Sequence, residues 1–194
     1  MNYENAIIID SNCYFRLAKS IHPLLNNPFG KKKYHLYILK NLQIEYKKSS
    51  RLKNKFIWFY EREFISDRNN NIFPEDESNN NAVHEHTKWV REEARSNYYI
   101  VSEIDINHIA IAITYENTLV TDDSDMMRLA KEFDVKVIKT LDLVKLMRDN
   151  NFINNKKVKE IIEFWNYIED EPGSFEEDFK NIFGISVKDF KKKY

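Results

Sequence analysis

The stretch Thr118-Leu119-Val120-Thr121-Asp122-Asp123-Ser124-Asp125-Met126-Met127-Arg128-Leu129-Ala130-Lys131-Glu132-Phe133-Asp134-Val135-Lys136-Val137-Ile138-Lys139-Thr140 decides the fold. It reads as a strand over Thr118 to Thr121, a helix over Ser124 to Phe133 and a strand over Val135 to Lys139. A helix from Asp105 to Tyr115 precedes it, with Ile106, Ile109, Ala110 and Ile113 on one face. Another follows from Leu141 to Asp149. Helices alternating with short strands imply a parallel sheet with right-handed crossovers.

Working toward the amino end, Ala6 to Ile9 is wholly apolar, as a strand covered on both faces should be. Asp10-Ser11-Asn12 lead into a helical stretch carrying Tyr14, Phe15, Leu17 and Ala18, which stops near Pro23. Asn26-Asn27-Pro28-Phe29-Gly30 is a group of breakers. A strand over His35 to Leu39 then runs into a helix around Glu45. Residues 51–72 continue the helical pattern and are rich in aromatics. Pro74 to Asn81 reads as a loop, and His84 to Ile100 as a helix. Toward the carboxyl end, Val158, Ile161, Ile162, Trp165 and Ile168 mark an amphipathic helix ended by Pro172-Gly173. Ser174-Phe175-Glu176-Glu177 reads as a capping box for a further helix, and Ser186 as the cap of a last one.

Acidic residues recur where strands give way to helices: Asp10, Glu45, Asp105, Asp123 and Asp125. Parallel strands put their carboxyl ends on one edge of the sheet, where the ligand sites of open α/β sheets gather. Clustered carboxylates at such an edge are costly unless a cation neutralises them. The pattern points to a hard divalent metal. Each acid also has a plain alternative. Asp10 and Asp105 could be helix caps, and Glu45 a partner in surface ion pairs.

Composition bounds the rest. The chain has 194 residues, 42% of them hydrophobic and 31% charged, with 13 Phe, 11 Tyr and only 3 Gly, which suits a helix-rich fold. Its lone cysteine, Cys13, excludes an intramolecular disulfide and reads as a small buried residue. Only four apolar residues separate Glu4 from Asp10, too few for a signal peptide, and no apolar run is long enough to span a bilayer. The expected location is the cytoplasm. The net charge of −1 hides an asymmetry: nine basic residues against Glu45 between Lys31 and Lys55, and eight acids against Lys180 between Glu160 and Lys180. The basic run is either a solvated face or a surface for phosphates, with Lys47, Lys48, Arg51 and Lys53 the RNA-binding candidates. His84 and His86 read as surface histidines. Phe56, Trp58, Phe59 and Tyr60 are read as packing residues, with base stacking the alternative.

The chain resembles the PIN-domain family of metal-dependent nucleases. The resemblance rests on Ile7-Ile8-Ile9-Asp10-Ser11-Asn12, Leu42-Gln43-Ile44-Glu45, the segment from Asp105 to Ala112, and Leu119 to Met126 followed by Val135 to Thr140. It implies a three-layer α/β/α sandwich around a central parallel sheet of four or five strands. It also implies Mg²⁺- or Mn²⁺-dependent hydrolysis of RNA, commonly by VapC-type toxins. Carried over by position, Asp10, Glu45, Asp105 and Asp123 would bind metal, with Asp125 beside them. Ser11, Asn12 and Thr121 would orient carboxylates and water, while Asp122 is read as facing solvent or the neighbouring loop. The implied partners are an RNA substrate, a protein antitoxin or other inhibitor, and a second copy, since family members are often dimers. The chain departs from compact VapC-type toxins in a helical insertion at about 51–100 and a helical extension at 151–194, appended to a nuclease domain over 1–150. Two other readings stay open: a flap-type structure-specific DNA nuclease, and a binding module that keeps the fold without catalysis.

Overall fold

The computed structural model describes residues 5–194. Four strands, β1 Ala6–Ile9, β2 His35–Tyr37, β3 Thr118–Val120 and β4 Val137–Ile138, form one sheet in the order β2-β1-β3-β4. Every pairing is parallel, with Ile7 opposite Leu36 on one side and Thr118 on the other, and Val120 opposite Ile138. Three strands are shorter than the apolar runs suggest. Val135 is lost to β4 because its N–H returns to Ala130 O (3.1 Å) to close the preceding helix, with Asp134 at a φ of 57°. Ile38 leaves β2 to form a separate bridge with Ile72.

Alternation along β1 builds the layers. Ile7 and Ile9 face α1 (Ser11–Ala18) and α8 (Thr140–Asp149). Ala6 and Ile8 belong to a second core, with α5 (Asn80–Ser96), α6 (Glu103–Thr114) and α7 (Ser124–Glu132). All four β1 residues are buried, and each isoleucine contributes roughly 1.5–3 kcal/mol relative to exposure. The result is the expected α/β/α sandwich.

Between β2 and α5 lie α2 (Leu42–Lys48), α3 (Ser50–Lys55), a 3₁₀ turn at Ile57–Tyr60 and α4 (Arg62–Asn69). Packing claims most of the aromatic residues here. Phe15 stacks on Phe56 at 4.8 Å, Tyr46 on Phe59 at 3.9 Å, and Trp58 meets Phe64 at 4.5 Å; only Tyr60 stays half-exposed. Two charged residues of α4 are buried. The Asp67 carboxylate accepts the backbone N–H groups of Leu24, Leu25 and Asn26. Arg68 donates to Phe59 O and Tyr14 Oη, with its guanidinium 3.6 Å from the Phe59 ring centroid.

The last three helices, α9 (Asn155–Tyr167), α10 (Phe175–Phe183) and α11 (Val187–Lys193), add Ile162, Trp165, Phe179 and Phe190 to the Ile7/Ile9 core. Trp165 Nε1 donates to Arg16 O at 2.9 Å. Ser186 caps α11 as expected, but Ser174 does not cap α10. The turn after Pro172-Gly173 delivers it at a φ of 58°, where its side chain makes no cap bond. Among the described residues no helix is long and apolar enough to cross a membrane.

Candidate functional site

The carboxyl edge of the sheet carries the acids. Asp10 and Thr121 extend the ladders of β1 and β3: Asp10 N donates to Val120 O at 3.0 Å, and Thr121 N to Ile138 O at 3.1 Å. Parallel pairing thereby sets the two residues side by side, and Thr121 Oγ1 reaches Asp10 Oδ2 at 3.4 Å. Asp10 and Thr121 are both buried. Burial first, then the charges of Asp105 and Glu45, push the Asp10 carboxyl up to about 8; Asp122 adds to the rise and the Ser11 backbone N–H opposes it. Asp10 at the end of β1 thus feels the charges of Glu45 on α2, Asp105 on α6 and Asp122 after β3.

Glu45 is half-buried on α2. Burial raises its pKa, and so does Asp105, while Ser11 and Arg51 pull it down. Ser11 Oγ lies beside it, yet neither that hydroxyl nor Glu45 Oε2 completes a hydrogen bond, although both atoms are buried. Uncompensated polar atoms cost stability and point to a missing partner.

Asp105 sits in the first turn of α6 and serves two ends. Its carboxylate accepts the Ser102 N–H at 2.7 Å, Ser102 Oγ accepts the Asp105 N–H at 3.2 Å, and its charge also acts on Asp10 and Glu45. Asp105 is therefore not the N-cap but the third residue of α6, completing a capping box with the N-cap Ser102, alongside the electrostatic coupling.

The acids after β3 divide differently from the sequence reading. Asp123 is exposed and caps α7 by accepting the Met126 N–H at 2.7 Å. Asp125 accepts the Ile100 N–H at 2.8 Å and pairs with Arg128, which together lower its pKa. Neither is among the charges that act on Asp10. Asp122, read as facing solvent or the loop, instead turns inward: it accepts from Thr140 Oγ1 at 2.6 Å, Thr140 N at 3.0 Å and Arg16 Nη1 at 2.6 Å. Parallel pairing of β3 with β4 brings Thr140 there, and the sequence signal was its position directly after Thr121 at a strand end.

Arg16 is shared. Besides Asp122, its Nε donates to Asp170 of the tail at 3.2 Å, and Lys55 Nζ reaches the other Asp170 oxygen at 3.1 Å. Arg51 stands 3.8 Å from Asp170. The acidic tail thus meets part of the basic run, while Lys47, Lys48 and Lys53 remain exposed. Asn12 is half-buried at the start of α1. Cys13 is fully buried below Asp122, which together with burial raises its pKa. His108 is packed, its Nδ1 2.8 Å from Ile104 O, and burial lowers its pKa. Of the two other histidines singled out, His84 is exposed and His86 bonds Thr114 Oγ1 at 2.8 Å.

Among the described residues no three acidic, histidine or cysteine side chains converge into a ready-made metal cage. The donor set nonetheless suits Mg²⁺ or Mn²⁺, which bind through one or two carboxylates and retained waters. A carboxyl whose pKa burial and then like charges raise, and a Glu45 oxygen buried without a partner, are the kind of donors a divalent cation would answer.

A scan of family models and a search of curated proteins each found no match. Among solved structures, the crystal structure of FitAcB from Neisseria gonorrhoeae is similar at a TM-score of 0.47 and 18% identity, over 70% of this chain and 98% of that one.

Proposed function

We propose that this chain is a divalent-metal-dependent endoribonuclease of PIN type, acting as the toxin of a toxin–antitoxin or related defence pair. The reading is carried by Asp10, a buried carboxyl at the end of the central strand whose pKa is raised to about 8 by burial first and by the neighbouring acids after it. Such a site stores unfavourable charge that a hard cation relieves. Asp10, Glu45 and Asp105 would hold Mg²⁺ or Mn²⁺. Bound there, the ion supplies a nucleophilic water and stabilises the leaving oxygen of a phosphodiester.

The chain's own residues do the positioning. Thr121 fixes the Asp10 carboxylate through its hydroxyl. Ser102 holds Asp105 by the reciprocal cap, and Ser11 stands where it can orient Glu45 or a water. Asp122 lies behind Asp10, saturated by Thr140 and Arg16; its part is to anchor α1 and α8 to the sheet edge. Asp123 and Asp125, engaged with Met126 and with Ile100 and Arg128, take no part in holding the ion on this reading. Lys47, Lys48 and Lys53 offer an exposed basic approach for the RNA backbone.

The test is Asp10→Asn. Incubated with single-stranded RNA and Mn²⁺, the wild-type chain should cleave and leave 5′-phosphate ends, because water is the nucleophile. The variant should lose at least about a hundredfold in rate and no longer arrest growth when expressed, with an unchanged circular dichroism spectrum. Full activity in Asp10→Asn would remove the assigned centre. Preferential cleavage of branched DNA would move the chain to the flap-type class.

A further inference from the structure

A second cavity, of about 260 Å³, lies between the end of β2, α2 and α4. Ile38, Leu42, Ile65 and Ile72 give it an aliphatic side, and Lys40, Gln43, Tyr60, Arg68 and Asn69 a polar one; Lys40 is mostly exposed and stands 3.5 Å from Glu75. Arg68 is 6% exposed. Among the described residues no carboxylate lies within ion-pair distance of its guanidinium: its neighbour Asp67 spends both oxygens on backbone N–H groups. Hydrogen bonds to Tyr14 Oη and Phe59 O account for two of its five N–H groups. The Phe59 ring beneath the guanidinium answers part of its charge, and a further partner rich in acceptors would answer the rest.

The cavity limits what that partner can be. It falls below the ~300–1,000 Å³ of sites that take drug-sized ligands, so it suits one ring system. The four aliphatic side chains would strip water from a phosphate dianion, and Lys40, the second cation at the cavity, already faces Glu75. A flat heterocycle suits the aliphatic side, with the half-exposed Tyr60 ring as a stacking surface. Guanine offers adjacent O6 and N7 acceptors on one edge, the pair that a guanidinium reads most often. Leu42 and Gln43 reach this cavity from the helix that carries Glu45 to the acidic centre.

We propose that this cavity receives a guanine base of the substrate, splayed from the strand and read by Arg68 and Gln43, so that it sets where the strand is cut. The proposal rests on the reading of the chain as a ribonuclease, and binding and cleavage test the two separately. Calorimetric titration of the full chain with each of the four nucleoside monophosphates should show GMP binding roughly tenfold or more tighter than the others. Ile65→Trp, which fills the cavity, should abolish that preference. Gln43→Leu should weaken GMP several-fold, and circular dichroism should show both variants folded. Equal affinity for all four nucleotides, full competition by inorganic phosphate, no binding at all, or unchanged GMP binding in Ile65→Trp would each overturn the proposal. Cleavage of matched guanine-containing and guanine-free RNA completes the test. GMP selectivity in a chain that cuts no RNA leaves the cavity assigned and removes the nuclease reading. Cutting without base preference, in a chain that ignores GMP, does the reverse.

Discussion

At the scale of single residues, Asp10 governs how the molecule responds to pH. Its carboxyl ionises near 3.8 when the chain is unfolded and at about 8 when folded. Between those values the unfolded chain has released a proton that the folded chain keeps, so stability falls as pH rises through the window and levels off above it. At ~1.36 kcal/mol per pH unit the loss is of order several kcal/mol, an upper figure because water and cations relieve it. The metal-free protein should therefore melt at a lower temperature near pH 8 than near pH 5. Added Mn²⁺ should restore the melting point at the higher pH, and Asp10→Asn should flatten the slope. A wild-type melting temperature indifferent to pH would refute the burial account. Asp10, Glu45 and Asp105 stand out in the sequence by their place after a strand or at a helix start, and in the structure the charges of Glu45 and Asp105 act on Asp10. Asp122 was missed because its partners Arg16 and Thr140 are 106 and 18 residues away, and only the sheet brings them together.

Among the elements, α6 shows its apolar Ile and Ala run plainly in the sequence, yet it starts at Glu103 rather than at the expected Asp105, because Ser102 and Asp105 form a reciprocal cap. Replacing the Ser102 hydroxyl removes one half of the reciprocal cap and loosens Asp105. Ser102→Ala should cost about 1 kcal/mol, seen as a lower midpoint in urea with an unchanged slope. If Asp105 acts in cleavage, the rate should fall as well. The boundaries were less legible than the elements themselves. The helix expected at His84–Ile100 starts earlier, at Asn80, and ends at Ser96, because Tyr98 takes a left-handed conformation and the chain turns toward Asp125. No local pattern announces that turn; its anchor, Asp125, lies on another helix. The Ser174 cap failed for the opposite reason, since the motif was present but the preceding turn set its backbone wrongly.

For the molecule as a whole, the last forty residues matter more than their place in the chain suggests. The sequence separates residues 151–194 by composition, yet Trp165, Phe179 and Phe190 share one core with the central strand. A chain ending at residue 154 should lose cooperative thermal unfolding and expose apolar surface to a dye such as ANS. Trp165→Ala alone should cost about 3–5 kcal/mol in chemical denaturation. An unaltered melt in the shortened chain would mean that the Ile7/Ile9 core is sufficient without the tail.

Arg16 joins that tail to the sheet edge, one guanidinium serving Asp122 and Asp170 together. Losing the arginine alone leaves Asp122 to Thr140 and Asp170 to Lys55 without the cation they share, and losing either acid alone leaves that cation half-answered. Sites 16, 122 and 170 should therefore drift through evolution as a trio, single exchanges being purged and compensated triplets surviving.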